Sequence, residues 1–249
     1  MFLFLNALDT IMQDRKYRLL DRLTKLLYCG ITTLLVSTIV NAGEPEHNLT
    51  IQGQPIHFVL PPTYCVLDRN SKEGSAWHSY YERLNEGVNA VLLLFVKCEE
   101  LSVLRSHPDH RIREYGQYLR QLIGGRTIPQ TYTRQYYLSL LTQKTPKLVG
   151  QSIAEAATER MERLGEGGSV NSISLGVLDT NDNAVFMGIG VLLKQRGSSI
   201  RTGVVAAFTL VKQLPITINL VSDYTNGEMF ARLLDAQRLL AARFVTANP

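Results

Sequence analysis

Four apolar segments near the carboxyl end of the sequence are separated by short turns, and they restrict the fold more than any other feature. They are residues 170–178, 184–194, 202–211 and 215–222. The first two flank the turn DTNDN and the last two flank KQL. Strand-like runs this close together predict β-hairpins. Two consecutive hairpins predict an antiparallel meander of four strands.

A long amphipathic helix is predicted directly after the meander. It begins at a capping box formed by Thr225 and Glu228 and continues to about Ala247. Its apolar stripe consists of Phe230, Leu233, Leu234, Leu240, Ala241 and Phe244. Because an apolar stripe must be buried against another element, we expect this helix to lie on the meander.

The remainder of the chain mixes predicted strands and helices. Residues 48–60 predict a hairpin, residues 75–86 a helix, and residues 89–97 a strand that is apolar throughout. Helical patterns also occur in RIREYGQYLRQL, in RQYYLSLL and after a Ser152/Glu155 capping box. Strands grouped in hairpins, with helices between and after them, predict an α+β fold in which helices pack on an antiparallel sheet.

The first 42 residues have the pattern of an export signal. Residues 13–25 are rich in basic side chains, and the uncharged run Leu26–Val40 is shorter than the roughly 20 residues that span a bilayer as a helix. The run ends in Val-Asn-Ala, which predicts cleavage after Ala42. We therefore expect residues 1–42 to be a signal peptide and residues 43–249 to form a single domain.

The alternative is an uncleaved anchor that holds the domain at the inner membrane, facing the periplasm. The start of translation is also open between Met1 and Met12. Removing residues 1–42 takes five basic and three acidic residues from totals of 26 and 22, which leaves a net charge of +2. Such a small excess gives no support for nucleic acid or an anionic membrane surface as a partner.

Cys65 and Cys98 are the cysteines that remain after residue 42, an even number in a compartment that oxidises thiols. Each adjoins a strand-like run, HFVLPPTYC or AVLLLFVKC. If these strands are neighbours, a disulfide between the two sulfur atoms closes a loop of about 34 residues. The alternative is two buried free thiols, because an even number does not by itself bring the sulfur atoms together.

Tyrosines are concentrated in residues 99–147, the part of the chain with the weakest periodicity. They are Tyr115, Tyr118, Tyr132, Tyr136 and Tyr137. Rings grouped in this way either line a ligand pocket or pack against a sheet. The sequence leaves both interpretations open.

The sequence predicts no catalytic residue, no cofactor and no metal site. In DTNDN, oxygen ligands alternate, but Ala184 and Gly190 stand where a calcium loop needs Gly and Glu. His107 and His110 are separated by proline and lack a third ligand. The segment GEGGS, residues 165–169, follows a helical pattern and precedes a strand, the reverse of a phosphate-binding loop.

Four segments also carry a family resemblance. They are TYCVLD, FVKCEEL, EYGQYL and AAFTLVKQLPITINLVSDY, the last followed by a long helix that ends in an Asn. Together they resemble a group of uncharacterised exported proteobacterial proteins, and the hairpin, hairpin, helix order is similar to the Mog1/PsbP-like α/β/α sandwich. The resemblance covers most of residues 56–248. It implies a fold used mainly for binding and assembly, with no shared catalytic residues.

We therefore expect a non-enzymatic periplasmic protein that binds a partner protein of the envelope or a small apolar ligand. The sheet face or the tyrosine-rich segment would form the contact. The alternative is an envelope hydrolase whose acid and base meet only in the fold. A membrane-tethered accessory subunit follows if residues 1–42 are retained.

Overall fold

The computed structural model describes residues 46–107, 110–144, 158–159, 169–195 and 198–249. The strands are β1 (Glu46–Ile51), β2 (Gln54–Val59), β3 (Tyr64–Val66), β4 (Asn89–Lys97), β5 (Glu114–Gln121), β6 (Ser169–Thr180), β7 (Val185–Gln195), β8 (Ser198–Val211) and β9 (Leu214–Asp223). The helices are α1 (Lys72–Asn85), α2 (Cys98–Ser106), α3 (Arg134–Lys144) and α4 (Glu228–Thr246). The helix predicted after Ser152 lies outside the described residues, apart from Thr158 and Glu159.

Seven strands form one antiparallel sheet in the order β3-β4-β5-β9-β8-β7-β6. Strands β6 to β9 are successive neighbours, which confirms the predicted meander. The amino-terminal hairpin of β1 and β2 is also confirmed and forms a separate two-stranded sheet. The α+β class, with helices packed on an antiparallel sheet, is thus confirmed.

The two faces of the sheet carry different layers, because successive strand residues point to opposite sides. One face, called the α1 face, is covered by α1 and α2 near β4 and by α3 over β7 and β8. The other, called the α4 face, packs against α4 and the β1–β2 hairpin. Phe58, Tyr118 and Phe244 are fully buried there.

Helix α4 lies on the meander as predicted, and Leu233, Leu240 and Phe244 of the expected stripe are fully buried. The predicted capping box is wrong. The N-cap residue is Gly227, and the carboxamide oxygen of Asn226 accepts a hydrogen bond from the Met229 N–H at 3.3 Å. A short Asn side chain satisfies one free amide of the first turn as well as the predicted Thr would.

Asn248, just after α4, fastens the amino-terminal hairpin to the rest of the fold. Its side-chain oxygen accepts a hydrogen bond from the His57 N–H at 2.9 Å, and its Nδ2 donates to the His57 carbonyl at 2.7 Å. The same Nδ2 donates to the Phe244 carbonyl at 2.8 Å. One side-chain amide thus joins β2 to the end of the helix.

The segment RIREYGQYLRQL is not helical, so that part of the prediction is wrong. Its residues Glu114–Gln121 form β5, which lies between β4 and β9 and is buried on both faces. Gly116 permits this close packing, because a Cβ there would lie 2.1 Å from Cζ of Phe95 and 2.7 Å from the Asn219 carbonyl oxygen. The buried Gln117 interrupts the apolar run that would otherwise have predicted a central strand.

Candidate functional site

The five tyrosines of the predicted cluster are divided among three places. Tyr115 lies on the α1 face, where its ring centroid is 5.8 Å from that of Trp77 and 5.9 Å from that of Tyr81. Tyr118, three residues further along β5, lies on the α4 face, 5.0 Å from Phe58 and from Phe244. Both rings pack against the sheet.

The third place is α3, which has one tyrosine on its inner side. Tyr137 packs with Leu138 against Val185 and Met187 of β7. Burial of this ring raises the pKa of the Tyr137 phenol to about 12. The side chain therefore belongs to the contact between helix and sheet.

Tyr132 and Tyr136 are the two tyrosines of the cluster that face solvent, and they are called the tyrosine pair below. Their side chains are 45% and 52% exposed, and their ring centroids are 5.2 Å apart at an interplanar angle of 59°. Ile128, in the connection that leads to α3, is also exposed. Tyrosine is enriched at protein interfaces, so two exposed rings in contact form a candidate binding surface.

Hydrogen bonds to neighbouring elements fix the segment that carries the tyrosine pair. The Gln130 N–H donates to the Gln213 carbonyl at 2.7 Å, and Nε of Arg134 donates to the Leu210 carbonyl at 2.9 Å. At the start of α3, Oγ1 of Thr133 accepts from the Tyr136 N–H at 3.3 Å. The pair is therefore held on the end of the sheet where β8 turns into β9.

The β8–β9 turn itself is conformationally strained. Its two central residues, Lys212 and Gln213, have φ values of 46° and 64°. A two-residue hairpin turn with positive φ at both positions normally uses Asn and Gly. Non-glycine residues in this region cost of order 1–3 kcal/mol each, and such strain is concentrated at functional sites. Here the strain lies directly under Gln130, near the tyrosine pair.

Cys65 and Cys98 form the predicted disulfide, with Cα atoms 4.8 Å apart. Cys65 is the central residue of β3, and Cys98 begins α2 directly after β4. The strands are neighbours, as the prediction required. The disulfide thus links β3, the shortest strand of the sheet, to the start of α2.

A buried carboxylate next to the disulfide was not predicted from the sequence. Glu114 at the start of β5 accepts a hydrogen bond from the Tyr64 hydroxyl at 2.6 Å and lies 3.3 Å from Nζ of Lys97. Nη1 of Arg232 in α4 donates to the second carboxylate oxygen of Glu114, Oε2, at 2.5 Å. Nη2 of the same side chain donates to Oγ of Ser222 at 3.3 Å. The group of Tyr64, Lys97, Glu114 and Arg232 is called the Glu114 cluster.

Electrostatics explain why the Glu114 cluster is stable although its carboxylate is buried. Two cations and one hydroxyl compensate the desolvated carboxylate, and Nζ of Lys97 also lies 4.2 Å from the Tyr64 ring centroid. Burial, together with the neighbouring Glu114 charge, raises the pKa of Tyr64 above its ordinary range. Tyr64 therefore stays protonated, and its hydroxyl donates a hydrogen bond to Glu114.

Two further carboxyl groups at this end of the sheet, those of Glu100 and Asp223, have raised pKa values. Burial raises the pKa of Glu100 in α2, although the Arg113 N–H bound to it acts in the opposite direction. Burial also raises the pKa of Asp223, which Arg111 contacts at 2.5 Å. These carboxyl groups and the Glu114 cluster form a second candidate site, assembled from β3, β4, α2, β5, β9 and α4.

Sequence reasoning could not have found this second site. Glu114 and Arg232 are 118 residues apart, and neither lies in a recognisable motif. A weak signal exists in the sequence, since Glu114 is the only acidic residue in a strand that turns out to be central. A charge in such a place requires a partner when it is buried.

The remaining sequence features give no metal or anion site in the described part of the chain. Among the described residues, no three His, Cys, Asp or Glu side chains are arranged so that they could hold a metal ion. Asn181 forms an ordinary Asx turn, because its Oδ1 accepts from the N–H groups of Asn183 and Ala184. Pro108 and Asp109, and residues 165–168 of the GEGGS segment, lie outside the described residues.

Comparison with known proteins assigns no family. No family model matches the sequence, and no curated protein matches it at a significant level. Among the described helices, none is both long enough and apolar enough to cross a membrane.

Proposed function

We propose that this chain is an exported, non-enzymatic protein of the bacterial envelope that binds a partner protein through the tyrosine pair. The observation that carries the proposal is the exposure of Tyr132 and Tyr136, whose rings contact each other at the surface. Tyrosine is enriched at protein interfaces, because its ring supplies a large contact area and its hydroxyl a hydrogen bond.

The position of the pair favours a protein partner over a small apolar ligand. Small ligands are bound in concave sites that enclose most of their surface. Of the five tyrosines in the predicted cluster, Tyr115, Tyr118 and Tyr137 lie inside the fold, and their neighbours are core side chains. The two that remain exposed lie just before α3 and in its first turn, where they are open to a partner surface.

The pair is also preorganised for binding. On either side of Tyr132, Gln130 binds the β8–β9 turn and Arg134 binds the end of β8. A side chain that is already ordered before association loses less conformational freedom when the partner arrives. The strained turn beneath Gln130 is compatible with this role.

The proposed location is the periplasm. Residues 1–42 act as a cleaved signal peptide, and residues 43–249 form a single domain with the Mog1/PsbP-like α/β/α arrangement. The Cys65–Cys98 disulfide supports an oxidising compartment, because such bridges are rare where thiols are kept reduced. Mass spectrometry of the amino terminus from an envelope fraction tests the cleavage. We expect Gly43 as the first residue, whereas an intact Met1 or Met12 would establish a membrane-tethered subunit instead.

The binding site is tested by affinity capture from envelope extract with three forms of the chain. The wild-type chain and a Tyr224→Ala control should retain the same partner, since Tyr224 is 43% exposed but lies after β9, at the other end of that strand. The double variant Tyr132→Ala/Tyr136→Ala should lose it. Retention by the double variant would place binding elsewhere, and capture of nothing by the wild type would refute a binding function.

An envelope hydrolase is the second candidate, and the raised pKa values of Glu100 and Asp223 are the observation in its favour. Groups that perform acid–base catalysis often have perturbed pKa values. Hydrolysis of a panel of chromogenic esters and glycosides tests this candidate. Activity that disappears in both Glu100→Gln and Asp223→Asn, while neither melting temperature falls below that of the wild type, would support it over the binding function.

A further inference from the structure

The tyrosine pair lies in a part of the chain that is rich in exposed apolar side chains. Ile123 and Ile128 are 54% and 44% exposed, and with Tyr132 and Tyr136 they make up four of the ten large apolar side chains that are exposed among the described residues. All four lie between the end of β5 and the first turn of α3. A local concentration of exposed apolar side chains is typical of an interaction surface.

Four basic residues lie at the same end of the sheet as these apolar side chains and are called the basic strip. They are Arg120, Arg126, Arg134 and Lys212. Arg126 is exposed, and the other three are half-buried. Lysine and arginine stems that lie along apolar surface can keep their charged ends in water.

Hydrogen bonds place Arg134 and Lys212 at the β8–β9 turn. Nε of Arg134 donates to the Leu210 carbonyl at 2.9 Å, just before the turn. Lys212 is in the turn itself, and its Nζ donates to the Pro55 carbonyl at 2.8 Å. Because Arg134 lies between Tyr132 and Tyr136 in the sequence, the turn and the tyrosine pair belong to one surface.

The other two basic residues continue the strip toward β5. Arg120, near the end of β5, is opposite Ile216 of β9. Arg126 precedes Thr127, whose carbonyl accepts a hydrogen bond from Nε2 of Gln52 at 3.4 Å. The β1–β2 turn thus contacts the strip at two places, next to Arg126 and at Lys212.

The basic strip has no acidic partners in the described part of the chain. No Asp or Glu occurs between Glu114 and Glu155 in the sequence. None of the four basic side chains forms an ion pair with a described carboxylate. At the opposite end of the sheet, by contrast, Arg111 and Arg232 are both paired. The charge of the strip is therefore available to a binding partner.

Carboxylates lie on both sides of the strip and limit its width. Glu86 precedes β4, the neighbour of β5, and Asp182 lies in the β6–β7 turn. Both residues are exposed. A broad anionic surface such as a lipid bilayer would bring its charge toward these carboxylates as well, so the strip suits a narrower anionic partner.

We propose that the tyrosine pair and the basic strip together bind an acidic segment of the partner protein, in which Asp or Glu residues lie beside apolar residues. This inference rests on the proposed binding function and names the chemistry of the partner. The carboxylates of the segment contact the basic strip, and its apolar side chains pack against the tyrosine pair. Complementary charge orients the partner and accelerates association, and the aromatic contacts supply much of the affinity.

Fluorescence anisotropy with synthetic peptides and the purified chain tests the proposal. Three peptides share the same apolar residues and carry Glu, Gln or Lys at all other positions. We expect the Glu peptide to bind most tightly, and its affinity to fall by about tenfold between about 50 mM and about 500 mM salt. A Glu peptide that does not bind, or that binds no better than the Lys peptide, would overturn the proposal. So would binding to phosphatidylglycerol vesicles without binding of the Glu peptide.

Charge reversal tests whether the strip is the part of the surface that binds. Arg126→Glu should weaken binding of the Glu peptide by about tenfold, because one attraction becomes a repulsion. Arg105→Glu is the matched control, since Arg105 is an exposed residue in the last turn of α2, at the opposite end of the sheet. It changes the net charge equally and should bind as the wild type does. Equal losses in the two variants would contradict a role for the strip.

Capture from envelope extract separates this proposal from the binding function on which it rests. A partner that is lost by Tyr132→Ala/Tyr136→Ala, but is retained by Arg126→Glu at wild-type strength, would leave the binding function intact and refute the acidic segment. A partner that is lost by both variants and kept by Arg105→Glu would support the two together. If the wild type captures nothing, the binding function fails, and the acidic segment fails with it.

Discussion

Arg232 in α4 donates a hydrogen bond to the buried carboxylate of Glu114 at the start of β5. The contact joins the last helix to a central strand, across 118 positions of the chain. It also lies beside the disulfide, because Tyr64 and Lys97 precede Cys65 and Cys98 directly. The Glu114 cluster therefore fastens α4 to one end of the sheet.

Replacement of Arg232 by Met should destabilise the protein by about 1–3 kcal/mol, because Glu114 stays buried with Lys97 as its remaining cation. The Arg232 side chain is 52% exposed, so the full cost of breaking a buried pair is not expected. Arg238→Met is the control. Its partners Asp179 and Asp235 are more exposed, and we expect a loss below about 1 kcal/mol. Equal losses in urea unfolding would contradict a special role for Glu114.

Replacement of Tyr118 by Phe should leave stability at pH 7 unchanged or slightly higher. The Tyr118 hydroxyl is fully buried and has no hydrogen-bond partner among the described residues. Removing an unpaired buried hydroxyl relieves a desolvation cost of about 1–3 kcal/mol, which offsets the lost packing. Urea unfolding measures the difference, and a large destabilisation would indicate a hydrogen bond to water.

The same variant should change the response to alkaline pH. Burial raises the pKa of Tyr118 above the ordinary value of 10. The folded state then holds this proton more tightly than the unfolded state, so the contribution to stability is present below about pH 10 and is lost as pH rises further. We expect a shallower loss of stability above pH 10 in Tyr118→Phe than in the wild type. Tyr132→Phe, which changes an exposed ring, should behave as the wild type.

Replacement of Glu100 by Gln should raise stability at neutral pH. Burial raises the pKa of Glu100 above its ordinary value of 4.5, so its favourable contribution is present below that pH and is lost as pH rises through the folded-state value. Gln stays uncharged and keeps an oxygen for the Arg113 N–H. Melting temperatures should therefore be higher in the variant at pH 7 and equal at pH 3. Glu99→Gln, at the exposed neighbouring position, is the control.

Reduction of the Cys65–Cys98 disulfide should lower the free energy of unfolding by about 3–4 kcal/mol in the chain-entropy model. Urea unfolding with and without reductant measures this change. Thiol labelling of the denatured chain should detect two more thiols after reduction. The same number of labelled thiols in both conditions would show that the bridge does not form.

Sequence reasoning was most accurate where the elements are local. Strands β6 to β9 are joined by short turns, so each finds its partner next to it in the chain, and the pattern could be recognised. Strand β5 was predicted as a helix because its pairing with β9 spans about 100 residues and leaves no local trace. Burial on both faces removed the alternation that identifies a strand.

The candidate sites were less predictable than the fold. The disulfide was predicted because an even number of cysteines and two strand-like runs restricted the choice. Tyr115 and Tyr118 could not be assigned to opposite faces before β5 was known to be a strand. The Glu114 cluster depends on contacts between distant segments, for which a single sequence holds no signal.

The hydrogen bonds between Asn248 and His57 determine when the amino-terminal hairpin can dock during synthesis. The β1–β2 hairpin leaves the ribosome early, but the amide that secures it to α4 follows 191 residues later. Until Asn248 has left the ribosome, the hairpin cannot be fixed to α4. Its apolar side is then available to chaperones. Peptides or reporters fused close behind Asn248 would therefore be expected to loosen the amino-terminal hairpin as well as the end of α4.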